Sequence, residues 1–253
     1  MASSFDFDIL PQPDDVTCGP TCLQAVYRHY GLKLDLPQLI GEVPQLQDGG
    51  TLAVMLGIDA LKRGFAATIY TFNLKVFDPT WFLPLEPGQR PVDLADRLRT
   101  QLTVKRGTKL TLASSAYIEF LERGGQIKMR DLNAMLISRF LHRGTPILTG
   151  LSATYLYFGK REFGPKNTPD DIRGVPQGHF VVLCGMDEEE DRVHVADPYL
   201  PNPLGLEHHY AVEFDRLVCS ILLGILTYDS NLLVIEPLDE SQNGVLKRGQ
   251  DSF

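Results

Sequence analysis

The sequence has little of what would place a chain in a specialised class. Cysteine is scarce: Cys18, Cys22, Cys184 and Cys219 are the only four in 253 residues. So few cannot staple a chain of this length, which can bury a sizeable core without disulfides. They read as thiols of a reducing compartment. Positive charge is in deficit, with 24 Lys plus Arg against 32 Asp plus Glu and a formal net charge of -8. That balance removes any general attraction to nucleic acid. Long hydrophobic runs are missing too. The most apolar late stretch, Ile221 to Leu238, is broken by Asp229, Ser230 and Asn231 and predicts two buried strands around a turn, not a membrane span. The start, MASSFDFDILPQPDD, is acidic where an export signal needs a basic and then an apolar segment. What remains, 43% hydrophobic and 22% charged residues without repeats or low-complexity tracts, predicts a globular, cytoplasmic protein.

Apolar periodicity organises the rest. Leu23, Val26, Tyr27 and Tyr30 line one helical face and predict a helix directly after Cys18, with Gly19 and Pro20 at its start and Gly31 at its end. A second helix is expected over Thr51 to Arg63, capped by Gly64, followed by a strand over Ala66 to Phe72. The segment around 73–125 holds Pro79, Pro84, Pro87 and Pro91 and a polar helical pattern near Val92 to Arg99, and reads as an inserted region. A helix over Asp131 to His142, a buried strand over Pro146 to Leu151, a Pro- and Gly-rich loop over Gly164 to Gly178 and strands from His179 onward complete the prediction. The chain is expected to form a single domain with a polar tail over 238–253.

Three features carry chemistry. Cys18 stands at a helix N-terminus, where unpaired N–H groups and the macrodipole favour a thiolate. About 160 residues downstream, GHFVVLCGMDEEEDRVHVADPY predicts a β-hairpin that places His179 opposite or next to Asp197. A carboxylate-oriented imidazole is what a cysteine nucleophile requires of its base. His194, an odd number of residues from Asp197, points to the other face, and His29, His142, His208 and His209 read as surface or packing residues. Gln12, six residues before Cys18, can join the Cys18 N–H in holding an oxyanion. Asp14 and Asp15, and Asp170, Asp171 and Arg173 in the long loop, are weaker candidates for substrate contact. Neither the adjacent histidines His208 and His209 nor the glycine pairs at 49–50 and 124–125 have the surroundings of a metal or phosphate site, so no metal or cofactor is expected.

The segments QPDDVTCGPTCLQAVYRHYG and GHFVVLCGMDEEEDRVHVADPY resemble the bacteriocin-processing, double-glycine type cysteine peptidase family, as does the helix TLAVMLGIDALKRGF. The resemblance implies an α+β, papain-like cysteine peptidase fold with N-terminal helices packed on an antiparallel sheet. It implies Cys18 as nucleophile, His179 as base, Asp197 as orienter and Gln12 as oxyanion donor, with Cys22 packing the helix outside the site. The leader-processing members are typically fused to a membrane-spanning exporter. This chain resembles a free-standing relative acting on a peptide or protein substrate, with a separate transporter or modifying enzyme as partner. Cleavage of a peptide or related amide bond is the first expectation. Acyl transfer through the same thioester and non-catalytic binding of a leader peptide are the alternatives.

Overall fold

The computed structural model describes residues 3–46, 49–84, 88 and 90–238. The expected tail over 238–253, apart from its first residue, and the prolines' neighbourhood at 85–87 lie outside the described residues. After a two-residue strand β1 (Ser3–Ser4) come three helices, α1 (Cys18–His29), α2 (Leu36–Glu42) and α3 (Ala53–Lys62), and strand β2 (Phe65–Thr71). The short helix α2, capped by Asp35 accepting from the Gln38 N–H, was not anticipated. The inserted region forms two helices, α4 (Leu94–Val104) and α5 (Thr108–Glu122). Strand β3 (Gln126–Lys128), helix α6 (Ala134–Leu141), strand β4 (Ile147–Ser152) and the single turn α7 (Ala153–Leu156) follow. The Pro- and Gly-rich stretch bears a small hairpin, β5 (Glu162–Phe163) with β6 (Thr168–Pro169). Strands β7 (Gly178–Asp187), β8 (Arg192–Ala196) and β9 (His209–Glu213), helix α8 (Phe214–Leu223) and strand β10 (Asn231–Pro237) complete the chain.

The main sheet runs β3-β2-β10-β4-β7-β8-β9, with β1 added against β7. Strands β2 and β3 are parallel and the other neighbours antiparallel. Alternation on β10 shows why both faces are covered: Leu233 and Ile235 enter a core with α1, α2, α3 and α5, while Leu232 and Val234 enter a second core with α6 and α8. Strand β7 does the same with Phe180, Val182 and Cys184 against Val181 and Leu183. A register irregularity between Leu183 and Gly185 resets the alternation, so Met186 joins the face of Leu183. An extra residue in one strand has this effect.

The C-terminal expectation is corrected. Ile221 belongs to helix α8, and Gly224–Thr227 continues it as a 3-10 turn, so that only the second half of the apolar stretch is a strand. Leu217 and Ile221 are buried at i and i+4, the period of a helix laid on a sheet. The N-terminal helices do pack on a mostly antiparallel sheet, and α1 is the one that matters for the site. Its Leu23, Val26 and Tyr27 are buried, each worth on the order of 1.5–3 kcal/mol. The Tyr27 hydroxyl donates to Asp59 of α3 at 2.6 Å, fixing one helix on the next. Gly31 at φ +81° ends the helix, and its N–H donates to the Arg28 carbonyl.

Candidate active site

Cys18 is the first residue of α1, and no side chain caps that end. The Thr17 hydroxyl, which would serve as a cap, is engaged with the backbone of Asp14. The Asp14 carboxylate in turn accepts from the Val16 N–H at 3.0 Å. The first turn of α1 also carries no acidic residue. Its N–H groups are therefore left for an incoming anion.

Strand β7 brings the imidazole. His179 is paired with Leu151 of β4, near the start of the strand. Asp197 directly follows β8, past the last ladder pair, and its Oδ1 lies 2.8 Å from His179 Nε2. The two side chains expected to meet are within hydrogen-bond reach, but Asp197 stands just beyond the ladder and is not paired across it with His179. The helix that Cys18 opens packs on β7, where Cys22 meets Phe180, and the Cys18 sulfur is one of the groups that raise the imidazole. Burial works against a charge on His179, but the Asp197 carboxylate and the Cys18 sulfur outweigh it and hold the imidazole up at about 10. Burial alone would raise Asp197; the charge and hydrogen bond of His179, with the Tyr157 hydroxyl and the Tyr199 N–H, hold it down at about 2.

Two contacts set the spacing between α1 and β7. The Cys22 thiol, one turn beyond Cys18, donates to the Phe180 carbonyl at 3.2 Å. A Cβ built on Gly19 would stand 3.2 Å from the Phe180 ring and 2.6 Å from the Thr51 methyl, so only glycine allows this approach. Cys22 thus packs as expected, and burial pushes its thiol up well above the ordinary range.

Gln12 lines the same cavity as His179, a space of about 540 Å³ bounded by the Gln12–Asp15 loop, Tyr157, Tyr199 and the β5–β6 hairpin. Its N–H donates to the Pro198 carbonyl at 2.9 Å, which joins its loop to the Asp197 segment. One side-chain N–H of Gln12 donates to the Asp14 carbonyl at 2.7 Å, and a primary amide has two such donors. Asp15 also lines the cavity, whereas Asp14 holds the loop. Asp170 accepts from the Ile172 and Arg173 N–H groups and pairs with the Arg173 side chain, and Asp171 pairs with Lys160, so these residues fix their own loop.

Solved peptidase structures are similar to this chain. The peptidase domain of Streptococcus ComA, a bifunctional ABC transporter of a quorum-sensing pathway, is 13% identical with a TM-score of 0.41, over 92% of this chain and all of that one. A double-glycine motif protease from an AMS/PCAT transporter, in complex with its leader peptide, is 14% identical with a TM-score of 0.44, over 93% and 95%. A C39-like peptidase from Bacillus anthracis is 14% identical with a TM-score of 0.48, over 95% of this chain and all of that one. No protein family matches the sequence, and no curated protein matches it. Among the described residues, no helix is long and apolar enough to cross a membrane.

The sequence did not reveal the aromatic residues around Asp197. Tyr157, just after α7, and Tyr210 of β9 each donate a hydroxyl to Asp197 Oδ2 at 2.7 Å. The Tyr199 N–H donates to Oδ1 at 2.9 Å. Tyr199 could have been found from its place in the run Asp197, Pro198, Tyr199. Tyr157 and Tyr210 stand on other elements, with no spacing to announce them. His208, read as a packing residue, lies with its Nδ1 2.6 Å from the Asp197 carbonyl.

Proposed function

We propose that the chain is a papain-like cysteine peptidase that cleaves a peptide or related amide bond through an acyl-enzyme on Cys18. The observation that carries this reading is the imidazole of His179, bonded to a fully buried carboxylate at 2.8 Å and opening on a cavity, on the strand that packs against the uncapped helix whose first residue is Cys18. His179 takes the thiol proton, leaving sulfur as the nucleophile. The sulfur attacks the substrate carbonyl, and the oxyanion takes hydrogen bonds from the Cys18 N–H and the second amide N–H of Gln12. His179 passes its proton to the leaving amine as the C–N bond breaks and the thioester remains. Water, deprotonated by His179, then hydrolyses the thioester and restores the thiol.

In this reading the chain is one domain, the region around 73–125 is an insertion that lies away from the chemistry, and the β5–β6 hairpin forms one wall of the substrate cleft. The substrate is a peptide or protein met in the cytoplasm, and a separate transporter or modifying enzyme is the partner of the pathway. The test is labelling by a peptidyl acyloxymethyl ketone, read by intact mass and tryptic mapping. The modification belongs on Cys18, and the Cys18→Ala protein takes none at the cleft. Labelling that persists unchanged in Cys18→Ala, or that maps to Cys219, defeats the assignment.

A further inference from the structure

We infer that Tyr157 and Tyr210 are positioning residues of this peptidase, acting through Asp197 to hold the base in place and to keep its partner carboxylate anionic. The inference rests on the assignment of Cys18, His179 and Asp197 made above. The Asp197 carboxylate is wholly inaccessible to solvent and receives four donors: His179 Nε2 and the Tyr199 N–H on Oδ1, and the Tyr157 and Tyr210 hydroxyls on Oδ2. Four donors fill the acceptor sites of a carboxylate, and a buried carboxylate that lacked them would shed its charge by taking a proton.

The division of the donors matters. A carboxylate held by its imidazole alone can turn about its terminal torsion, which is broad and roughly two-fold, and exchange one oxygen for the other. Two hydroxyls arriving on Oδ2 from separate elements remove that freedom, leaving Oδ1 for His179. The chemistry requires more than a fixed angle. Each time His179 gives its proton to a leaving amine, Asp197 loses its cationic neighbour while still buried. The three neutral donors remain through that step and sustain the anion until the imidazole is protonated again. Burial, followed by the Asp197 charge, pushes both phenols far above their ordinary range, so they stay donors throughout.

Tyr157 serves a second purpose. Its ring centroid lies 6.1 Å from that of His179, and the Tyr199 centroid lies 6.2 Å from the imidazole at an edge-on 74°. The two tyrosine rings face each other at 6.2 Å and 27°. The imidazole thereby abuts a pair of aromatic rings, one of which belongs to the same residue that holds the carboxylate.

Phenylalanine in place of tyrosine keeps the ring and removes only the hydroxyl. The experiment compares the full-length protein with Tyr157→Phe, Tyr210→Phe and the double variant. It measures the rate of Cys18 alkylation by iodoacetamide from pH 3 to pH 9 by mass spectrometry, together with thermal unfolding. A hydrogen bond to a charged group corresponds to about one to two pH units, so Asp197 takes a proton at higher pH with each hydroxyl lost and the acid limb of the alkylation rate moves up with it, by at least about two units in the double variant. A packing role alone would lower the unfolding temperature and leave the limb where it is in the wild-type protein. Superimposable profiles, in the single variants or the double, overturn the tyrosine role and leave the peptidase assignment standing. Peptidase activity retained by Cys18→Ala overturns that assignment, and the tyrosine role with it.

Discussion

Substituting Gly19 by alanine tests how tightly the proposed nucleophile is held against its base. The added Cβ would stand 2.6 Å from Thr51 Cγ2, 3.2 Å from the Phe180 ring and 3.4 Å from Leu56 Cδ1. The Thr51 methyl cannot simply swing away. Thr51 is buried, and its hydroxyl donates to the Pro44 carbonyl at 2.9 Å, so a new rotamer breaks that bond. Overpacking of this kind costs about 1–3 kcal/mol, against which alanine in a helix returns about 0.5–1 kcal/mol. The net destabilisation expected is therefore about 1–2 kcal/mol. Activity should fall further than stability does, because α1 relieves the clash by moving off Phe180, the residue after His179, and misplacement by about 1 Å costs on the order of a hundredfold in rate. The assay is peptide hydrolysis beside urea unfolding, for Gly19→Ala, Thr51→Ser and the two combined. Serine keeps the hydroxyl and deletes the methyl, so the double variant should regain most of both losses. Full activity in Gly19→Ala, or a double variant no better than the single one, would refute the reasoning.

Removing the Gln12 side chain (Gln12→Ala) should lower kcat by about a hundredfold to a thousandfold with a small change in KM, the usual consequence of losing one oxyanion donor. Steady-state kinetics decide it, since a residue that only holds the loop would chiefly raise KM. Asp229 gives a pH prediction. Burial raises its carboxyl to about 7, against the opposing bonds from the Ala53 N–H and Asn231. The folded state then binds a proton that the unfolded chain has released above about 4, so the contribution of Asp229 to stability is largest below that pH and is lost as pH rises from about 4 through 7, by about 4 kcal/mol in all. Asp229→Asn keeps an acceptor for the Ala53 N–H and should abolish this slope in urea unfolding followed from pH 4 to pH 6, below the range where His179 contributes its own. An unchanged slope would contradict the assignment.

Much of the site was legible because the chemistry and the local structure coincide in sequence. Cys18, Gly19 and Pro20 mark a helix start, and Leu23, Val26 and Tyr27 fix which face turns inward, so the thiol's position at the uncapped end follows. The His179 and Asp197 runs are joined by one acidic turn, so their meeting needed no long-range information. What failed to show depends on contacts between distant elements. Tyr157 and Tyr210 reach Asp197 from 40 and 13 residues away. The irregularity at Leu183/Gly185 shifts the hairpin register by one, and Gly185 is its sole trace in the sequence. The misreading of Ile221 had a different origin: the apolar run was weighed by content, although Leu217, Ser220 and Ile221 are spaced for a helix.

The placement of the base in the middle of the sheet also explains why so small a set of residues can hold a reactive pair. Strand β7 is bonded to β4 at the His179–Leu151 pair itself and to β8 from Val182 onward, so His179 cannot shift without disturbing the β4 ladder. Phe180 transmits that rigidity to the nucleophile: its carbonyl accepts from Cys22, and its ring lies against the Gly19 and Gly150 positions, where any side chain would crowd it. Asp197 is treated differently, since it stands just past the end of the β8 ladder, where its backbone is held by His208 alone. A carboxylate released from the ladder needs other restraints, and the tyrosine hydroxyls and the Tyr199 N–H supply them. Strand and helix packing therefore fix the thiol and the imidazole, whereas hydrogen bonds from two hydroxyls, the imidazole and one backbone N–H fix the carboxylate. Single substitutions that remove donors should consequently alter the ionisation of the site, and those that add volume at Gly19 or Gly150 should alter its geometry.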